Sequence, residues 1–150
     1  MRTFREILGK PSDALQAMVD GLREYSARSD FRIDMDTFGM VHNDVCFGCA
    51  ATCAIQKATG KYLLDLKYNR LDGLWYNIKA EFFAVSKSEL VAFENAINAA
   101  RLGDVSSLLA YYGIIDNCIF DSRFKLLSDN WEQQLMAVVQ VIAELRAVGL

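Results

Sequence analysis

Small apolar residues fill the segment 45–58 almost completely, and this feature constrains the fold more than any other in the sequence. Asn43 or Asp44 can cap the start of a helix here, and Gly60 suits the left-handed conformation that ends one. The pattern therefore predicts a helix over 45–58. Three cysteines at i, i+3 and i+7 would lie on one side of that helix, namely Cys46, Cys49 and Cys53.

These thiols allow three interpretations. As small hydrophobes they would be buried and would let neighbouring helices approach closely. As a redox pair, Cys46 and Cys49 would form a Cys-x-x-Cys motif whose first thiol has its pKa lowered by the helix N-terminus. As metal ligands, the thiolates would suit zinc or an iron–sulfur cluster, with Cys118 as a fourth ligand. We favour the packing interpretation, because the segment lacks the wrapping loop of iron–sulfur sites and the second Cys-x-x-Cys pair of many zinc sites.

His42 is the single histidine and precedes Cys46 by four residues. A catalytic Cys–His pair needs the imidazole within hydrogen-bond reach of the thiol and a third group that orients it. The sequence permits this arrangement, but a lone histidine beside Asn43 and Asp44 is more often a solvated loop or cap residue, and we interpret His42 in that way. No catalytic residue is assigned and no cofactor is expected under the packing interpretation. The candidate binding cluster comprises Cys46, Cys49, Cys53, Cys118 and His42.

Capping signals and helical periodicity predict further helices along the chain. Two Ser/Thr-x-x-Glu capping boxes open helices, one at the amino end and one in the middle of the chain. The last helix has the broadest apolar surface, because Met136, Val139 and Val141 extend it beyond one stripe. The predicted N-caps are Thr3, Ser12, Ser86, Asp104 and, for the last helix, the segment Ser128-Asp129-Asn130.

Two short segments favour strands. A strand is predicted within 31–35. In 62–83, apolar and polar residues alternate around Asn69 and Asp72-Gly73, which predicts a β-hairpin. The alternative is a helix, because Leu74, Trp75, Ile78 and Phe82 would also share one helical face.

The composition is that of a folded domain. Hydrophobic residues make up 53% of the 150 residues, charged residues 23%, and there is one proline, which excludes a disordered chain. We predict one domain over 1–150, mainly α, with about six helices and a small antiparallel β-hairpin; an α+β fold is the runner-up.

The charge balance excludes some partners. The formal net charge is −3 and no Lys/Arg cluster is present, which argues against nucleic acid and anionic membranes. The amino end has no secretory pattern and the apolar runs are too short to span a bilayer, so a cytoplasmic location is expected.

Function is the least determined property of this sequence. It lacks a P-loop, a nucleophile elbow, a dinucleotide fingerprint and a His-x-x-x-His pair, which favours a non-enzymatic domain. The broad apolar surface of the last helix points to protein contacts, with a homodimer as the leading hypothesis. The alternative is a redox or metal-binding protein built on the three clustered thiols.

Overall fold

The computed structural model describes residues 1–66, 75–114 and 131–150, which form a mainly helical fold with one small sheet. This confirms the predicted fold class. A 3-10 turn at Leu63–Leu66 follows the third helix. In chain order the elements are α1 (Phe4–Leu8), α2 (Pro11–Ser26), β1 (Phe31–Ile33), β2 (Met40–His42), β3 (Val45–Gly48), α3 (Ala50–Thr59), α4 (Trp75–Phe82), α5 (Lys87–Arg101), α6 (Val105–Tyr111) and α7 (Trp131–Ala147).

Most of the predicted helix ends are confirmed. Thr3, Ser86 and Asp104 each accept a hydrogen bond from the backbone N–H three residues later, which satisfies a donor that the first helical turn leaves open. Gly60 ends α3 in the left-handed conformation, with a φ of 69°. The predicted start of the last helix at 128–130 lies outside the described residues.

The predicted cap at Ser12 is wrong. Helix α2 begins one residue earlier, at Pro11, and Ser12 is buried inside its first turn. The Asp13 carboxylate accepts a hydrogen bond from the Lys10 backbone N–H at 3.0 Å and so closes the helix start. Proline is well suited to this first position, since it has no N–H to leave unpaired there.

The sheet has the strand order β1-β3-β2. Strand β1 lies parallel to β3, and β2 lies antiparallel to it. Asn43 and Asp44 connect β2 to β3 with φ values of 50° and 61°, which is the pattern of a type I′ hairpin turn. The antiparallel hairpin of this fold is therefore at 40–48.

Two predictions from the sequence are wrong, one for the segment that forms β3 and one for the segment that forms α4. Helix α3 starts at Ala50, so the predicted helix over 45–58 is wrong for its first residues, which form β3 because they pair with strands on both sides. The predicted hairpin over 62–83 is also wrong, because 75–82 form helix α4. Its turn at 69–73 lies outside the described residues.

The core forms where α2 packs across α3. Gly21 of α2 lies so close to α3 that an added Cβ would come within 2.4 Å of the Cys53 carbonyl oxygen. Ala50, Ala51 and Ala54 of α3 are fully buried at the same level. The small residues of α3 therefore permit close approach of the two helices, as the packing interpretation requires.

Helix α5 ties the amino end to α6. The Glu89 carboxylate accepts hydrogen bonds from the Phe4 backbone N–H, at 2.9 Å, and from the Tyr111 hydroxyl. Among the described helices, none is long and apolar enough to cross a membrane.

Candidate functional site

The three clustered cysteines lie on different elements. Cys46 is on β3, Cys49 is the N-cap of α3, and Cys53 lies in the first turn of that helix. All three side chains are completely buried. The helical stripe of thiols predicted from the sequence therefore does not exist, although the fold keeps all three residues in the core.

Cys49 has two polar contacts that fix its sulfur. The Asn98 side-chain amide of α5 donates a hydrogen bond to Cys49 Sγ at 3.3 Å, and the Thr52 hydroxyl lies 3.8 Å from the same sulfur. The Asn98 side-chain oxygen also accepts a hydrogen bond from the Ala51 backbone N–H at 3.1 Å. Asn98 therefore closes the start of α3, where Cys49 makes no side-chain cap.

Burial governs the acidity of these thiols. It raises the pKa of Cys46 to about 12, against a smaller opposing effect of the Lys79 charge. Burial also raises the pKa of Cys53, and the neighbouring Cys49 and Cys46 raise it further. A thiol with a raised pKa stays protonated at neutral pH and is a poor nucleophile or metal ligand.

His42 lies on the surface, unlike the three buried thiols. His42 is exposed on β2, where its ring lies 3.2 Å from the Asn43 amide. Cys118 lies outside the described residues. Within 1–66, 75–114 and 131–150, no group of three or more His, Cys, Asp or Glu side chains could hold a metal ion.

A buried ion pair lies near the thiols. Lys79 Nζ of α4 is 2.9 Å from Glu94 Oε1 of α5, and each side chain is only 1% exposed. Burial raises the pKa of Glu94 to about 7, although Lys79 and Tyr76 both favour the ionised form. Glu94 Oε2 is buried and has no hydrogen-bond partner among the described residues.

Helix α4 also holds the loop between β1 and β2. Lys79 Nζ donates to the Phe38 carbonyl oxygen, and the Trp75 indole N–H donates to the Gly39 carbonyl oxygen. Gly39 has a φ of 94° and lies against Leu63 and Thr52, so a larger residue there would be strained. The ion pair thus positions a loop as well as two helices.

Sequence reasoning missed the ion pair. Lys79 occupies a polar position of the predicted hairpin, and Glu94 sits beside Phe93 on a helix with an otherwise ordinary pattern. The available signal was that Lys79 follows Trp75 by four residues, which places the two side chains on one face of a helix.

A cleft of about 550 Å³ opens between α2, β1, α5 and α7. Its polar lining includes Ser26, Gln134 and Arg101, and Arg101 is the only charged residue among the described residues that line it. The Arg101 guanidinium donates a hydrogen bond from Nη1 to Gln134 Oε1 at 2.9 Å. The apolar lining that the described residues supply is aliphatic and consists of Leu22, Ile33, Met35, Leu135 and Val138.

The outer face of α7 carries exposed apolar residues. Its inner face is buried through Leu135, Val138 and Ile142 as the periodicity predicts, and Val141 is buried with them. Met136 and Val139 instead remain 68% and 41% exposed.

Comparison with protein-family models, with curated proteins and with solved structures finds no match to this chain. The function must therefore be inferred from the geometry of these sites.

Proposed function

We propose that this protein is a non-enzymatic interaction domain that associates with a second copy of itself through the outer face of α7. The observation that carries the proposal is the exposure of Met136 and Val139 on a helix whose other face already packs in the core. Large apolar side chains exposed together on one helical face are typical of contact surfaces. Two further exposed residues, Gln140 and Ala143, continue this face without a charge.

The arrangement of this face supports a symmetric partner. Glu132 and Arg146 lie seven residues before and after Val139, so on a helix all three share one line. In an antiparallel pair centred at Val139, Glu132 of one copy would lie near Arg146 of the other. The same register would place the long Met136 side chain of one copy between Val139 and the small Ala143 of the other. The face is thus complementary to itself, as a twofold interface must be.

The size of the face indicates a weak association. From Glu132 to Arg146 the helix extends about 21 Å, at about 1.5 Å per residue. One helix pair of this length buries less than the roughly 800 Å² per partner of a standard stable interface. We therefore expect a reversible dimer in the micromolar range.

The thiol hypothesis receives less support from the geometry. Its three described cysteines are buried, and burial raises the pKa of Cys46 and Cys53. Redox and metal chemistry both need accessible thiolates. We propose instead that these cysteines pack the core.

Sedimentation velocity over a dilution series, from about 1 µM to about 500 µM, tests self-association. We expect the weight-average sedimentation coefficient to rise with concentration. The variant Ala143→Glu places a charge within the proposed face and should weaken the dimer at least tenfold, because the carboxylate would be desolvated against the apolar Met136 of the other copy without a charged partner.

Ala92→Glu is the matched control, because Ala92 is also an exposed alanine within a helix but lies on α5. It should dimerise as the unaltered chain does. A strict monomer at every concentration, or equal loss of dimer in both variants, contradicts the proposal.

A further inference from the structure

The cleft between α2, β1, α5 and α7 is a second feature of the fold, separate from the exposed face of α7. Its volume of about 550 Å³ lies within the range of small-molecule sites. Most of its lining is apolar, and the few polar groups are gathered near Arg101. Apolar walls with a small polar end are typical of sites for amphipathic ligands.

Arg101 has more donor capacity than its neighbours use. Its only hydrogen bond among the described residues goes to the neutral Gln134 amide, and its Nε is buried with no partner. The ion pairs of the described residues involve other cations, at Arg28, Lys57, Lys79 and Arg146. A half-buried guanidinium with no carboxylate beside it leaves a desolvated charge uncompensated.

The charge environment points the same way. Burial lowers the pKa of Arg101, and no carboxylate among the described residues offsets that effect. Arginine nevertheless stays protonated in proteins, so the cleft contains a permanent positive charge. An anion bound there would gain charge-assisted hydrogen bonds and would compensate that charge.

We propose that this cleft binds an aliphatic monocarboxylate, with the carboxylate on Arg101 and the hydrocarbon chain between α2 and α7. One guanidinium matches one carboxylate through two parallel N–H···O bonds, whereas a phosphate dianion would leave a negative charge unpaired. The apolar walls, as far as the described residues form them, contain no ring on which an aromatic ligand could stack. A flexible alkyl chain fits such walls because burial of each methylene adds favourable binding free energy.

Titration of the methyl-labelled protein with decanoate, followed by NMR, tests the assignment. We expect saturable shifts confined to methyl groups of the cleft, with Met35 and Val138 among them. Decanol has the same chain but no charge, and acetate has the charge but no chain. Both should bind at least tenfold more weakly than decanoate, because each lacks one of the two interactions.

Arg101→Gln should weaken decanoate binding about tenfold or more while leaving decanol binding unchanged. Arg23→Gln is the matched control, since it removes an exposed arginine on α2 that does not line the cleft and should leave both affinities unchanged. Non-saturable or uniformly distributed shifts overturn the proposal, as does equal affinity for decanoate and decanol. Because the comparison of these two ligands uses the unaltered protein, the result stands even if Arg101→Gln does not fold.

Discussion

Lys79 and Glu94 form an ion pair of 2.9 Å in which each side chain is 1% exposed. The pair joins α4 to α5, and the lysine also holds the loop before β2 through the Phe38 carbonyl. Charges buried this deeply are costly to desolvate, and each is tolerated because the other is present.

Removal of one partner should therefore be more harmful than removal of both. Lys79→Met leaves a buried carboxylate unpaired and should lower the free energy of unfolding by about 3–5 kcal/mol. The double variant Lys79→Met with Glu94→Leu should recover most of that loss, apart from about 1 kcal/mol for the lost bond to Phe38. Urea unfolding of both single variants and the double variant measures this coupling. Additive losses would show that the two side chains do not stabilise each other.

The stability of the protein should depend on pH through Glu94. Burial raises the pKa of this carboxyl from its ordinary value of 4.5 to about 7, so the folded state holds the proton more tightly than the unfolded chain. The stabilisation from protonation is complete below pH 4.5 and is lost as the pH rises to about 7. Within that window the loss approaches about 1.4 kcal/mol per pH unit.

Glu94→Gln removes this titration and serves as the reference. As the pH rises, the unaltered protein should lose unfolding free energy relative to Glu94→Gln. This relative loss should level off above pH 7. A difference that stays constant between pH 4.5 and 7 would mean that the pKa of Glu94 is not raised.

The buried thiols should be unreactive in the folded protein. Cys118→Ser leaves a chain whose remaining cysteines are Cys46, Cys49 and Cys53, all completely buried. Titration with a disulfide reagent at neutral pH should detect no thiol in the folded variant and three thiols per chain in denaturant, because the reagent cannot reach a completely buried thiol.

Elemental analysis of the anaerobically purified, unaltered chain completes this test. We expect neither zinc nor iron at one equivalent. A thiol that reacts in the folded variant, or a stoichiometric metal lost on Cys49→Ser, would instead support the thiol-based function.

Close packing of α2 on α3 predicts a large cost for a small change. In Gly21→Ala the new Cβ would lie 2.4 Å from the Cys53 carbonyl oxygen, so the helices must separate. We expect a loss of about 1–3 kcal/mol, as for other overpacked cores, with a lower midpoint in thermal unfolding.

Gly113→Ala provides the comparison, since its Cβ would meet no atom of the described residues within 4 Å and its backbone has a φ of 77°. Its cost should be about 1–2 kcal/mol and should not change when Cys53 is altered. Cys53→Ala likewise should not relieve the strain of Gly21→Ala in full, because the closest contact is with the backbone of Cys53 and not with its sulfur.

The local sequence by itself determined the helix ends at Thr3, Ser86, Asp104 and Gly60, and the buried face of α7. A cap depends on one side chain and a backbone N–H three residues away, and a helical face depends on spacing alone, so both can be recognised without knowledge of the rest of the fold.

Only the tertiary structure decided the conformation of Cys46 and the roles of Lys79, Glu94 and Arg101. Cys46 lies in a strand because it pairs with Val41 on one side and Phe31 on the other, and such pairings outweigh the helical spacing of the cysteines. Lys79 and Glu94 are buried because α4 and α5 bring together two charges that are fifteen residues apart. The cleft at Arg101 likewise forms where four elements that are distant in sequence pack together, and no local sequence pattern predicts that packing.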